Sequence, residues 1–176
     1  MDKLFRAGTM LLLALVAATA TAVTVSTNFL PETDFTHLKT YYWVKVEGQK
    51  IDPITDEQIR RAVDAQLQAK GWRKLDSTEA DAYVAYQVAV VQTQELNYYS
   101  NYGYSWRWGG STSAYTRTIN RGTLTLDVYD RATKSLVWRG SATDTLKTKS
   151  KPEKRQKRLD KAMAKLLNDF PPEAAN

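Results

Sequence analysis

The sequence predicts an α+β domain of two layers, a mostly antiparallel sheet of about six strands with two amphipathic helices on one face. Three observations lead there. Gly122–Thr143 reads as strand, tight turn, strand: Leu124, Leu126 and Val128 alternate with Thr123, Thr125 and Asp127, the period of a half-buried strand. Two other stretches carry apolar residues at helical spacing instead, Ile59, Ala62, Val63 and Leu67, then Leu159, Met163, Leu166, Leu167 and Phe170. Helices and strands also follow one another in mixed order, which favours a sheet with helices gathered on one side.

A chain of 176 residues with 43% hydrophobic content suits a single domain with a core of its own. Cysteine is absent, so the sequence predicts no disulfide framework, no thiol nucleophile and no cysteine-bound metal. The formal charge of +6 is unevenly spread: nine Lys and Arg lie between Lys147 and Lys165, against Glu153 and Asp160 alone.

The chain begins like an export signal. Lys3 and Arg6 precede the apolar run Met10–Ala18, and Ala20-Thr21-Ala22 has the small-residue form of a cleavage site. Residues 1–22 are read as a signal peptide and 23–176 as the exported domain, periplasmic or elsewhere in the cell envelope. An uncleaved anchor is the alternative, because the uncharged run from Ala7 to Val25 approaches the ~20 residues that span a bilayer.

Taken in order, Val23–Asn28 alternates as a first strand. Phe29–Leu38 is a connector, and Lys39–Val46, rich in aromatic and β-branched residues, a second strand. A helix follows, with Thr55 as N-cap, Gln58 completing a capping box, Ile54 and Ile59 as a hydrophobic staple, and Gly71 as the stop. Trp72–Leu75 is a short strand. Ala82–Thr93 is a long one, roughly 40 Å at about 3.3 Å per residue, with Val84, Tyr86, Val88 and Val90 on one face. One end of it is expected to project. Residues 95–115 read as a long loop, of the kind that is often functional. Thr116–Tyr129 returns as a strand, Asp130 turns the chain by bonding its own backbone, and Leu136 and Trp138 resume the alternation. The closing helix is capped by Ser150 and Glu153 around Pro152 and stopped by Pro171-Pro172.

Several segments together resemble one family. They are DFTHLKTYYW (34–43), the KGW at the end of the first helix (70–72), ADAYVAYQV (80–88), the Tyr/Gly/Trp-rich loop, GTLTLDVYDRATKSLVWRG (122–140) and the closing helix with its FPP (170–172). In this order they resemble the domain-of-unknown-function 4136 family, predicted bacterial envelope proteins that are mostly lipoproteins. The resemblance implies an α+β domain in the envelope and supplies no catalytic residues. A lipidation cysteine is missing here, so a Cys-anchored lipoprotein is not expected.

For catalysis the sequence predicts no residues: phosphate-loop, nucleophile-elbow and zinc-protease motifs are all missing. His37, the one histidine, is read as an isolated surface residue without a partner. No cofactor is expected and no metal, since Asp76, Glu79 and Asp81 lack ligand-loop spacing. The strongest candidate for function is the aromatic loop, with Tyr98, Tyr99, Tyr102, Tyr104, Trp106 and Trp108 interleaved with Gly and Ser. Such rings stack on sugars and carry a polar edge for hydrogen bonds, which suits a cell-wall glycan or an envelope protein. Rings that pack on one another are the structural alternative. The second candidate is the Lys154, Arg155, Lys157, Arg158 and Lys161 face, which suits an anionic membrane surface or simply a solvated face. Nucleic acid is not an expected partner, because export separates the two and because basic and aromatic clusters lie some forty residues apart. The function read from the sequence is a non-enzymatic envelope protein that binds a polymer or partner. A structural component without a ligand is the alternative, and an uncharacterised hydrolase a weaker one.

Overall fold

The computed structural model describes residues 23–100, 112–147 and 149–172. Six strands and two helices form one layer each. The strands are β1 (Thr24–Phe29), β2 (Thr40–Trp43), β3 (Arg73–Lys74), β4 (Ala82–Ser100), β5 (Thr112–Asp130) and β6 (Leu136–Leu146); the helices are α1 (Pro53–Ala69) and α2 (Pro152–Leu166). Sheet order is β1-β6-β5-β4-β2-β3. The β1–β6, β6–β5 and β5–β4 pairs are antiparallel; β4–β2 and β2–β3 are parallel.

Alternation decides which side the helices cover. Val84, Val128 and Trp138 stand in register, as do Tyr86, Leu126 and Gly140. These rows share one buried core with Ile59, Val63 and Leu67 of α1 and Met163 and Leu166 of α2. The other face is polar. There Thr123 and Thr143 pair at 2.9 Å, Thr125 and Ser141 at 3.2 Å, and Arg139 holds Asp127 through two bonds of 2.6 and 2.7 Å. One wet and one covered face is the usual economy of an antiparallel sheet. Trp72, Trp138 and Phe35 surround Phe170 at centroid distances of 5.1, 4.9 and 6.1 Å, closing the end of the core where α1 and α2 finish.

The expected end of α1 is found. Gly71 has φ +82°, the Gly71 N–H donates to the Gln68 carbonyl at 2.9 Å and the Trp72 N–H to the Leu67 carbonyl at 3.0 Å. That is a Schellman closure, with Trp72 buried as its hydrophobic partner.

Its start differs from expectation. The N-cap is Asp52, whose carboxylate accepts from the Thr55 N–H at 3.0 Å, with Pro53 in the first helical position. Thr55 is thus inside the first turn, and Ile54 is 71% exposed and staples nothing. The cap of α2 likewise moves from Ser150 to Lys151, which offers no side-chain bond. The second strand is shorter than predicted, because its ladder with β4 ends at Trp43.

Leu136 does not continue the alternation. A bulge at Val128/Tyr129 shifts the register, leaving Leu136 exposed and placing Val137 and Trp138, consecutive residues, both in the core. The largest difference lies at residues 95–115. Glu95–Ser100 and Thr112–Tyr115 are strand, paired residue for residue up to Ser100 and Thr112. Both flanks of the segment expected to be a loop are thus the outer part of a long hairpin, and residues 101–111 lie outside the described residues.

Candidate functional site

That hairpin outruns the sheet. The β5–β6 ladder ends at Asn120 and Leu146, and the β2–β4 ladder at Val84. From Thr93/Ile119 to Ser100/Thr112, eight register pairs of β4 and β5 have no third strand beside them among the described residues, an arm of roughly 27 Å at about 3.4 Å per residue. It is sparsely covered at and just below its base: Ile119 is buried, but Leu96 on the arm and Val90 and Val91 below it are more than half exposed, and Glu95 meets Arg121 at 3.6 Å. Tyr98 and Tyr99 stand opposite Ala114 and Ser113 near the end of this ladder. Tyr102, Tyr104, Trp106 and Trp108 lie outside the described residues.

The basic residues of α2 are where a solvated face would put them. Lys154, Arg155, Lys157 and Lys161 are exposed and Arg158 is half-buried. Among the described residues none of the five forms an ion pair; Arg155 Nη1 donates to the Ser150 carbonyl at 3.0 Å. The fold removes their separation from the arm. Arg155, Arg158 and Leu159 line one groove with Val88, Val90 and Gly122 at the arm's base. The chain between the two clusters is taken up by β5, which runs from the arm to the opposite end of the sheet, and by β6, which returns to the groove. Val23 lines that groove too, so the described chain enters at the same end.

Two features escaped sequence reasoning. Beneath α1, carboxylates meet aromatic donors rising from the sheet. Asp64 accepts from the Tyr41 hydroxyl at 2.7 Å, from Trp43 Nε1 at 2.8 Å and from Lys74 Nζ at 3.3 Å. Asp56 accepts from Arg60 at 2.9 Å and from the Tyr86 hydroxyl, and the Arg60 guanidinium lies 4.9 Å from the Trp43 ring centre. Burial, then the neighbouring carboxylate, pushes both phenols well above the ordinary tyrosine range. Burial alone would raise Asp56, but the bonds from Tyr86 and Arg60 prevail and hold it below the usual value. The clue was the matching of Asp56 and Asp64, two helical turns apart, to alternate aromatics on β2 and β4.

His37 is the second feature. It is half exposed, and its Nε2 lies 3.7 Å from Asp130 Oδ2 at the end of the sheet away from the arm, a carboxylate neighbour that the sequence did not signal. Asp81, grouped in the sequence with Asp76 and Glu79, is used inside the fold. Its Oδ2 accepts from the Lys39 N–H, the Thr40 N–H and the Thr40 hydroxyl at 3.1, 2.8 and 2.7 Å, tying β2 to the start of β4.

Known proteins recognise most of this chain. The model of a family described as Domain of unknown function (DUF4136) matches residues 25–172. No curated protein matches. Among solved structures, a PDZ domain protein from Parabacteroides distasonis is similar at 13% identity with a TM-score of 0.56, over 88% of this chain and 37% of that one. This chain therefore spans little more than a third of that protein's length. Two structures of the PelC dodecamer from Paraburkholderia phytofirmans, one of them a point variant, are similar at 14% identity and TM-score 0.50, over 83% of this chain and 95% of theirs. At such identities the likeness is one of fold.

Proposed function

This chain belongs to the DUF4136 family, and on that premise we propose that it is a non-enzymatic protein of the bacterial cell envelope which binds a wall glycan with the aromatic segment carried by its arm. The observation that supports this reading is the arm itself: eight strand pairs extend beyond the last neighbour and lead to a segment dense in Tyr, Trp and Gly. A two-stranded ribbon adds little to a core and is marginal alone, so its length has a use outside the fold. Tyr and Trp at its far end offer flat apolar faces with polar edges, the chemistry that stacks on sugar rings. Residues 1–22, with the form of an export signal, support the envelope as the place of action.

The test is a pull-down on purified cell-wall material with the doubly substituted Trp106→Ala, Trp108→Ala chain. Retention is expected to fall sharply against the unsubstituted protein. Equal retention of both rejects the glycan, and crosslinking in living cells from position 106 then identifies whether a protein is captured instead. A second reading has its own observation. The five cations of α2, free of ion pairs among the described residues, favour contact with an anionic lipid surface beside the arm.

A further inference from the structure

Between the starts of α1 and α2 and the sheet lies a groove of ≈ 230 Å³. Its floor is apolar: Val88, Leu124 and Ala142 from the sheet, Ile59 from α1, Leu159 and Met163 from α2. Arg155 and Arg158 stand on its rim, and among the described residues Asp144 is the one acid there. Asp144 accepts from the Thr145 N–H at 2.7 Å, whereas Arg158 makes no hydrogen bond or ion pair among the described residues. The mouth lies beside Val90 and Leu146, which are 58% and 41% exposed.

We propose that this groove takes one acyl chain of an anionic phospholipid, with the headgroup phosphate held by Arg155 and Arg158. Charge and shape together select this occupant. The volume lies below the ~300–1,000 Å³ of pockets for drug-sized ligands, so a single chain suits it better than a ring system. Cations also sit where a helix disfavours them. Lys151, Lys154 and Arg155 crowd the N-terminal end of α2, which carries the positive partial charge of its dipole, with Glu153 as the only acid in that turn. An anion at the rim relieves that repulsion. A guanidinium pair matches a phosphate in geometry as well as sign. The groove shares its end of the molecule with the basic face, yet acyl entry is a separate claim from surface attraction.

Methionine methyl labels read it directly. The chain has three methionines, and Met163, fully buried, lines the groove. The full chain is titrated with dihexanoyl phosphatidylglycerol below its micelle concentration, with dihexanoyl phosphatidylcholine and with glycerol 3-phosphate. The Met163 methyl signal is expected to shift saturably with phosphatidylglycerol, at roughly tenfold higher concentration with phosphatidylcholine, and not with glycerol 3-phosphate. Arg155→Glu with Arg158→Glu should weaken the phosphatidylglycerol response by about tenfold or more, and Val90→Trp, which narrows the mouth from an exposed position, should abolish it. The proposal is overturned by an unmoved Met163 signal in the unsubstituted chain, by equal responses to the two lipids, or by an equal response to glycerol 3-phosphate. Salt-sensitive association with anionic vesicles while Met163 stays unmoved would leave the surface reading standing and reject this one. An occupant from residues 1–22 or from a second copy would likewise leave Met163 unresponsive.

Discussion

At Gly71 the backbone takes φ +82° with nothing within 4 Å of where a Cβ would stand, whereas at Gly140 a Cβ would collide with the Trp138 indole and come within 2.9 Å of Leu166. Gly71→Ala is therefore expected to lose ~1–2 kcal/mol through the backbone alone. Gly140→Ala is expected to lose ~1–3 kcal/mol through overpacking. Urea unfolding measures both, and Leu166→Val should change the second loss but not the first. Titratable side chains set the pH range. In Asp81, burial raises the pKa, but the bonds from Thr40 and the Lys39 N–H prevail and lower it, as Tyr86 and Arg60 do for Asp56. A carboxyl held low in the folded state binds fewer protons there than in the unfolded chain. Its stabilisation is present above about pH 4 and is lost as pH falls through the lowered value. Tyr41 and Tyr86 work at the other limit. Their folded-state pKa values are raised, so their contribution is present below about pH 10 and lost as pH rises beyond it. Urea midpoints against pH should show a plateau with two falling limbs. Asp81→Asn should flatten the acid limb and Tyr86→Phe the alkaline one.

Helices and strands were legible in proportion to how sharply one face is buried. The stripe Ile59, Ala62, Val63, Leu67 is buried in α1 as its spacing foretold, and Leu124, Leu126 and Val128 are buried in β5. The start of α1 was misread because Thr55 and Gln58 fit a capping-box template that falls one turn too late. Asp52 followed by Pro53 carried the better signal, since proline suits the first helical position. Asp52→Ala is expected to cost about 1 kcal/mol and Thr55→Ala only a few tenths, by thermal unfolding. The outer hairpin was missed for the opposite reason to the stripes. Beyond Thr93, Gln94–Leu96 and the facing Tyr115–Thr118 are all exposed, so consecutive residues there show no buried face to be read as alternation. The aromatic candidates were legible by composition alone. The groove was not, because its walls come from five elements distant in sequence. Replacing residues 95–117 with a two-residue Asn-Gly turn should leave the melting temperature almost unchanged, as the arm adds little to the core, while wall retention is lost. Calorimetry and the pull-down together check this.

On the scale of the molecule the two ends differ. One gathers the aromatic cluster around Phe170 and the finishing turns of both helices. The other gathers the arm, the starts of both helices, the cations of α2 and Val23. Association with phosphatidylglycerol vesicles should accordingly fall steeply between low and physiological salt, because exposed charges are screened over about 8 Å at the latter. Cosedimentation measures this, and binding indifferent to salt would speak against the charged end. The layout also has a temporal side. β1 is hydrogen-bonded along its length to β6, Thr24 facing Thr143, and Lys165 Nζ reaches the Val23 carbonyl at 2.7 Å. Of the described strands, the earliest in chain order thus has as its mate the latest. During synthesis this ladder can close only after β6 has emerged, so the β1 edge of the sheet is completed after the other described strands exist.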